Sequence, residues 1–406
     1  MLVNVLIFLG LSLSFLLAGQ LLLLLYATSR KLSFAGVQKK HEADLFSERL
    51  ALARAQLKRQ ENTVPWSGTR KFEISRIDTE FETVRSFYLI PHDKKALPGF
   101  HPGQYLTFEL DIPTERNRVI RCYSLSDKPR KDFYRVTIKK IGLASKYFHE
   151  ALKVGDIVDV KAPGGAFYLD VNRTTPVVLI AAGVGVTPML SMLNEIVESG
   201  LQREVWFFFG VRNKSDHIMK EHLDTVARNN NNVRLRVCYS QAEDCDIADK
   251  HCHAKGRVTL DLLKVELPSN NFDFYLCGPG EMMQSMQTNL RDWGVPAVHV
   301  HMEAFGPASV KKVAPTAVLA TESVKITFAR SGRDVDWKGQ ADSLLDLALA
   351  ENIPLAYGCR AGNCGTCKTA IKSGKVKYLK EPGCEVEAGS CLTCICVPET
   401  ALALEA

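Results

Sequence analysis

The chain has 406 residues, of which 46% are hydrophobic and 24% are charged; it is too long for one hydrophobic core and is expected to form two to four domains. This balance excludes a disordered chain and a protein built mainly of membrane spans. The formal net charge of +6 arises within residues 27–71, and because the remainder is neutral, no nucleic-acid-binding surface is indicated.

The N-terminal segment Leu2–Tyr26 contains no charged residue. As a helix it would be about 37 Å long, enough to cross a hydrocarbon core of about 30 Å. Residues 1–27 are predicted to be a transmembrane anchor rather than a cleaved signal peptide, because no basic residue precedes Arg30. Basic residues follow the span, so the positive-inside rule predicts a single-pass protein of the inner (cytoplasmic) membrane, with its soluble domains facing the cytoplasm.

Residues 28–65 are predicted to be a basic helical linker. The central part has neither Gly nor Pro, and Leu45, Arg49, Leu52 and Gln56 recur at helical spacing. Such an amphipathic helix can contact anionic lipid or remain a solvated stalk, and the sequence leaves both alternatives open.

Short strand-like segments separated by turn residues characterise residues 66–170 and predict an antiparallel β-barrel. The predicted strands are 71–77, 84–90, 105–110, 134–139 and 157–161.

Apolar strands alternate with helical segments in residues 171–306. This pattern predicts a doubly wound parallel sheet that binds its ligand at the carboxyl ends of the strands. The predicted strands are 177–182, 205–211, 233–239, 272–277 and 298–304. Residues 307–321 are then predicted to be a linker, and residues 322–406 a small, Cys-rich domain.

Seven of the twelve cysteines lie between residues 359 and 396, which in a long chain indicates metal ligation rather than disulfide bonds. Cys359, Cys364 and Cys367 form a C-x4-C-x2-C pattern, and Cys394 follows after 26 residues. This spacing is typical of plant-type [2Fe–2S] ferredoxins, whereas a structural zinc site usually pairs two C-x2-C hooks. Glycines between the ligands allow the backbone to direct N–H groups at sulfur.

A second motif, Arg121-Cys122-Tyr123-Ser124, offers the groups that a flavin needs: a cation for phosphate, a flat ring and a hydroxyl donor. The segment 102–105 (Pro-Gly-Gln-Tyr) precedes it and the segment 142–145 (Gly-Leu-Ala-Ser) follows it. The tetrapeptide alone is typical of an ordinary strand, but the order and spacing of the three segments predict flavin binding.

A third motif, Gly183-Val184-Gly185-Val186-Thr187-Pro188, directly follows a predicted strand. Its glycines would let backbone amides approach a pyrophosphate at a helix N-terminus, although the third glycine of the usual dinucleotide fingerprint is missing. The segment 277–280 (Cys-Gly-Pro-Gly) ends the fourth strand at the same sheet edge, where Cys277 alone would be typical of a buried structural thiol.

Together these motifs resemble the ferredoxin-NADP reductase superfamily over about Trp66 to Phe305. With residues 324–404, the chain is similar to the NADH-dependent reductase components of oxygenases, which carry a C-terminal plant-type ferredoxin domain of β-grasp fold. The resemblance implies that the pyrophosphate of NADH lies on the loop Gly183–Pro188 and that hydride passes to the flavin nitrogen facing Ser124.

The resemblance also implies the remaining site residues. Ser124, Cys277 and Glu303 are the candidate catalytic residues. The candidate cofactor-binding residues are Arg121, Tyr123, Ser124, Gly142, Ala144, Ser145, Gly183, Gly185, Thr187, Pro188, Cys277, Gly278, Pro279 and Phe305. The segment 392–394 looks like the one that supplies the last cluster ligand, so the candidate ligands are Cys359, Cys364, Cys367 and Cys394.

Two details of the resemblance guide the choice of cofactors. FAD is favoured over FMN because the turn Gly142–Ser145 is similar to that of FAD-binding members. NADH is favoured over NADPH because this chain has Ser240-Gln241 where many members have Ser-Arg, and the Arg suits a 2′-phosphate.

The expected function is that of a membrane-anchored NADH:acceptor oxidoreductase. It would pass single electrons through the cluster to a membrane-associated partner such as an oxygenase, hydroxylase or desaturase. One alternative is a component similar to the flavin subunit of a respiratory NADH:quinone reductase, although the iron–sulfur domain comes last here. Another is a non-catalytic iron–sulfur scaffold.

Overall fold

The computed structural model describes residues 19–20 and 66–406, apart from 117, 249–251, 304, 306–322, 381 and 385. From Trp66 onward the described residues belong to one compact unit. The prediction of an inner-membrane location is wrong, because none of the described helices combines the length and the apolar character that a bilayer span requires. Apart from residues 19–20, the predicted anchor and linker lie outside the described residues.

The first domain is an antiparallel β-barrel, as predicted. Its elements are β1 (Thr69–Phe81), β2 (Val84–Pro91), β3 (Tyr105–Leu110), β4 (Val119–Ser124), β5 (Tyr134–Lys139), α1 (Leu143–Glu150) and β6 (Ile157–Gly164). The strand order is β4-β3-β6-β1-β2-β5, and a bridge between Leu125 and Val136 joins the two ends. Strand β4 is absent from the predicted set, because its residues 120–123 are partly exposed and do not alternate between apolar and polar types.

The second domain is a parallel sheet covered by helices on both faces. Its elements are β7 (Val177–Ala182), α2 (Val186–Glu198), β8 (Val205–Val211), α3 (Lys220–Asn229), β9 (Val233–Tyr239), α4 (Asp244–Ala248), β10 (Ala254–Lys255), α5 (Leu260–Glu266), β11 (Asp273–Cys277), α6 (Gly280–Asp292) and β12 (Val300–Glu303). The order is β10-β9-β8-β7-β11-β12. Leu179 packs in the core on one face and Val178 in the core on the other, which confirms the doubly wound prediction.

The third domain is a small mixed sheet with one packed helix. Its elements are β13 (Val324–Phe328), β14 (Arg333–Trp337), α7 (Leu344–Ala350), β15 (Lys368–Ser373), β16 (Val376–Tyr378), β17 (Ser390–Leu392), β18 (Cys396–Pro398) and β19 (Leu402–Leu404). The main sheet has the order β14-β13-β19-β15-β17, and β16 pairs with β18. The long loop between α7 and β15 carries the three closely spaced cysteines.

Candidate functional site

The flavin motif predicted from sequence lies on β4, which pairs with β3. Side chains alternate along a strand, so Cys122 and Ser124 lie on one face while Arg121 and Tyr123 lie on the other. The Tyr123 ring meets Phe148 of α1 edge to face, with centroids 5.3 Å apart. The strand therefore presents the ring and guanidinium separately from the thiol and hydroxyl.

The three candidate catalytic residues meet where the barrel contacts the parallel sheet. The Ser124 hydroxyl donates a hydrogen bond to Glu303 Oε2 at 3.4 Å. Glu303 ends β12 and pairs in register with Cys277, the last residue of β11. All three side chains are buried, whereas Phe305, two residues beyond β12, is 38% exposed.

Burial determines the protonation states of Glu303 and Cys277. It raises the pKa of Glu303 to about 8, although the Ser124 hydrogen bond and the Lys380 ammonium act in the opposite direction. Burial, together with the negative charge of Glu303, also raises the pKa of the Cys277 thiol well above its ordinary value. At neutral pH Cys277 is therefore a neutral thiol, and the Glu303 carboxyl group can hold a proton and release it near pH 8.

The segment 142–145 forms the N-terminus of α1. The Ser145 hydroxyl accepts hydrogen bonds from the backbone N–H groups of Ile141 and Gly142, each at 2.9 Å. Ser145 and Ala144 are buried, while a Cβ on Gly142 would have open space. Ser145 thus organises the turn, and the space beside Gly142 is open.

The residues of the loop after β7 differ in whether they face open space or pack against the sheet. Gly183 has a φ of +53° and faces open space, but a Cβ on Gly185 would lie 2.2 Å from the carbonyl oxygen of Cys277. Thr187 donates a hydrogen bond to the carbonyl of Val184 at 3.0 Å and is buried, as is Pro188. Gly183 can therefore approach a ligand, whereas the other predicted residues fix the loop against the sheet.

A cleft of about 590 Å³ opens at the carboxyl edge of the parallel sheet. Gly183 and Pro279 line it, as do Arg212 and Asp216, whose side chains form an ion pair at 2.5 Å. Gly278 lies beneath this edge, where a Cβ would come within 3.1 Å of the Ala182 side chain. The position and size of the cleft suit a nucleotide.

The cysteine loop directs backbone N–H groups at sulfur, as the sequence predicts. Cys359 Sγ accepts hydrogen bonds from the N–H groups of Ala361, Asn363 and Cys364 at 3.3–3.4 Å. Cys364 Sγ accepts one from the N–H of Cys359 at 3.3 Å. Donors arranged in this way stabilise negatively charged sulfur.

The four candidate ligands fall into two pairs. Cys367 Sγ and Cys394 Sγ are 3.1 Å apart, and the sulfurs of Cys359 and Cys364 also interact directly. Two thiolates for each of two irons is the requirement of a [2Fe–2S] cluster, so the residues present fit this group.

The other cysteines of the third domain lie elsewhere. Cys391 and Cys396 are fully buried in the core beneath the main sheet, whereas Cys367 and Cys394 belong to a separate apolar cluster. Cys384 lies beside the loop, with its sulfur 3.9 Å from the Gly362 carbonyl oxygen. The arrangement is the one expected if Cys394 supplies the fourth ligand.

The flavin strands and the cysteine loop are in direct contact. The Tyr105 hydroxyl of β3 donates a hydrogen bond to the backbone carbonyl of Asn363. The Cys122 thiol of β4 lies within hydrogen-bonding reach of the sulfurs of Cys359 and Cys364. The flavin motif and the cluster motif therefore share a boundary.

Sequence reasoning missed the residues at this boundary. Tyr105 and Cys122 stand within quoted motifs without a role, and Asn363 and Lys380 are not singled out at all. Lys380 approaches Asn363 Oδ1 at 3.5 Å, and its charge acts on both Cys359 and Glu303. One signal for Cys122 was available in the sequence. Side chains alternate along β4, so Cys122 lies on the same face as Ser124.

Three domain families match consecutive parts of the chain. Residues 72–168 match the oxidoreductase FAD-binding domain, residues 179–288 the oxidoreductase NAD-binding domain, and residues 326–399 the 2Fe-2S iron-sulfur cluster binding domain. The chain therefore carries binding domains for FAD, for a nicotinamide dinucleotide and for a [2Fe–2S] cluster.

Among curated proteins, the chain is 38% identical over 251 residues to a flavohemoprotein of Bacillus cereus, which covers 60% of this chain and 62% of that protein. A flavohemoprotein of Deinococcus radiodurans is 37% identical over 245 residues, covering 60% of each. The match thus spans less than two thirds of the length of these curated relatives.

Among solved structures, the chain is similar to the flavohem-like FAD/NAD-binding domain of nitric oxide dioxygenase from Vibrio cholerae. The TM-score is 0.54 at 33% identity, covering 59% of this chain and 100% of that one. Phthalate dioxygenase reductase matches with a TM-score of 0.55 at 24% identity, covering 86% of this chain and 99% of that one. The second likeness concerns the fold and extends over all three domains.

Proposed function

Since the chain belongs to the ferredoxin-NADP reductase superfamily and ends in a [2Fe–2S] ferredoxin domain, we propose that it oxidises NADH and delivers single electrons to a partner redox protein. When bound, FAD accepts the hydride of NADH and the cluster carries one electron at a time. The chain's own residues position these groups and control their electrostatic surroundings.

In this proposal, the dinucleotide occupies the cleft at the carboxyl edge of the parallel sheet, with its pyrophosphate at Gly183. Ser124, Cys277 and Glu303 surround the reacting end. Because each of them is at most 5% exposed, they keep water away from the hydride. Ser124 supplies a hydroxyl, Cys277 a neutral thiol of fixed position, and Glu303 a carboxyl group that exchanges a proton near pH 8.

The observation that carries the proposal is the direct contact between the flavin strands and the cysteine loop. Tyr105 and Cys122 reach Asn363 and the sulfurs of Cys359 and Cys364, so an electron has a short, packed route between the two sites. In this proposal Cys359, Cys364, Cys367 and Cys394 hold the cluster.

The partner is proposed to be an oxygenase, hydroxylase or desaturase. Phthalate dioxygenase reductase, by its name, serves a dioxygenase, and its three-domain fold is similar over 86% of this chain. This likeness supports a partner that accepts electrons one at a time.

The test uses NADH oxidation with two probe acceptors, ferricyanide and cytochrome c. Wild type should reduce both. A Cys394→Ala variant without the cluster should still reduce ferricyanide from the flavin, but should lose at least about nine tenths of cytochrome c reduction, since that acceptor depends on the cluster. Equal rates with cytochrome c in both proteins would contradict the proposed electron route.

A further inference from the structure

The Cys122 thiol lies at the boundary between the flavin strands and the cluster loop, and the proposed function uses it only as a point of contact. Its sulfur lies within hydrogen-bonding reach of the sulfurs of Cys359 and Cys364, which belong to the third domain. Cys122 is partly buried and makes no disulfide bond. It is thus a thiol from one domain held against two candidate cluster ligands of another.

A neighbouring hydroxyl allows the Cys122 S–H group to point towards the cysteine loop. Thr107 pairs with Cys122 across β3 and β4, and Thr107 Oγ1 lies 3.4 Å from Cys122 Sγ. When the Thr107 hydroxyl donates to the Cys122 sulfur, the single S–H hydrogen of Cys122 remains for Cys359 or Cys364. A ligated cysteine sulfur has no proton of its own and can only accept.

The surrounding contacts hold the thiol in this position. Tyr105 donates to the Asn363 carbonyl on the same side of the boundary. One step further along β4, Ile120 packs against the start of the cysteine loop, since a Cβ on Gly358 would come within 3.1 Å of Ile120 Cγ2. Cys122 therefore lies between two other contacts that join the flavin strands to the cysteine loop, and it has little freedom to turn away.

We infer that Cys122 is a positioning residue that donates an S–H hydrogen bond to the cluster's cysteine sulfurs and thereby raises the reduction potential of the cluster. The inference rests on the proposed function, because it requires a cluster held by Cys359 and Cys364. The physical reason is that reduction adds negative charge to the cluster, so a donor at sulfur stabilises the reduced form more than the oxidised form. Electron transfer from flavin to cluster becomes more favourable as a result.

The experiment measures the midpoint potential of the cluster in the full chain carrying both cofactors, by anaerobic redox titration followed by electron paramagnetic resonance. Cys122→Ala should favour the oxidised cluster about threefold to tenfold, which corresponds to a fall of about 30–60 mV at 59 mV per tenfold for one electron. Cys122→Ser keeps a donor and should recover at least half of this shift. Thr107→Val should lower the potential by less than Cys122→Ala does.

The matched control is Cys238→Ala, which removes a buried thiol from β9, in the core of the parallel sheet. Its cluster potential should equal that of wild type. An unchanged potential in Cys122→Ala, with a normal cluster signal, would overturn the inference, even if that variant unfolds at a lower temperature. If Cys122→Ala does not fold, an unchanged potential in Thr107→Val, with a normal cluster signal, would overturn it.

The same titration separates this inference from the proposed function. If wild type gives no [2Fe–2S] signal after reduction by dithionite, the cluster itself is absent and the proposed function fails. If wild type gives the signal and only the Cys122 comparison is flat, the inference alone fails.

Discussion

Ser124 and Glu303 join the barrel to the parallel sheet through a hydrogen bond of 3.4 Å between Oγ and Oε2. Each is the last residue of its strand, so the contact lies where two strand ends meet. Burial raises the pKa of the Glu303 carboxyl group, and this hydrogen bond lowers it by a smaller amount.

The rate of flavin reduction by NADH is expected to rise by about fivefold, or about 1 kcal/mol, as the pH increases through 8. Because burial raises the pKa of Glu303 to about 8, the carboxyl group is protonated below this pH and charged above it. The charged form stabilises the positive charge that the nicotinamide gains as hydride leaves. Anaerobic stopped-flow absorbance of the flavin on both sides of pH 8 provides the measurement.

Other ionisable groups also face Glu303, namely Cys277, Tyr105 and Lys380. Burial raises the pKa of both Cys277 and Tyr105, so neither ionises below pH 8, and Lys380 is the competing candidate. Glu303→Gln should flatten the pH profile. A full inflection in that variant would assign the titration to Lys380 and refute the role of Glu303.

Cys277→Ala is expected to slow flavin reduction by about tenfold to a hundredfold, while the dissociation constant of NADH changes less than threefold. The thiol is fully buried at the end of β11, and a small displacement of a reacting ring is costly to rate. The two quantities come from stopped-flow traces at varied NADH concentration. Cys238→Ala is the control, and an unchanged rate in Cys277→Ala would remove this residue from the reaction.

Gly185→Ala should destabilise the protein more than Gly183→Ala does. A Cβ at residue 185 would lie 2.2 Å from the Cys277 carbonyl oxygen, so backbone must move, at a cost of about 3 kcal/mol. At residue 183 the cost is that of a left-handed Ala, about 1 kcal/mol. Thermal or urea unfolding measures both, and equal costs would show that the loop does not pack as described.

Cys394→Ala is expected to abolish the cluster, whereas Cys391→Ala and Cys396→Ala should retain it. The last two thiols lie in the core beneath the main sheet, so their loss should cost on the order of 1 kcal/mol of stability and no iron. Iron and sulfide analysis of the purified variants decides the matter. Full iron content in Cys394→Ala would mean that another cysteine is the fourth ligand.

Much of the fold could be predicted from sequence, because apolar runs and turn residues mark strands that bury at least one face. Strand β4 is different: Arg121, Cys122 and Tyr123 are partly exposed, and Cys122 faces another domain instead of a core. The hydrophobic pattern is therefore weakest at the strand that carries the flavin motif.

Candidate site residues could be named from the sequence, but the contacts between them could not. The glycines at 183 and 185 look equivalent in the sequence, yet only the structure shows that Gly185 is required by the approach of Cys277. The contact of Cys122 with Cys359 joins residues more than 200 positions apart, and no local pattern encodes such a distance. The spacing of the cysteines, in contrast, is local, so the candidate cluster ligands could be named from the sequence.

The most direct test of the account mixes the complete protein with NADH in the absence of oxygen and freezes samples over time. The account predicts that the flavin absorbance falls first and that the signal of a reduced [2Fe–2S] cluster then grows, with no other reductant present. Flavin bleaching without this signal, in protein that shows it fully after dithionite, would contradict the transfer of electrons from NADH to the cluster.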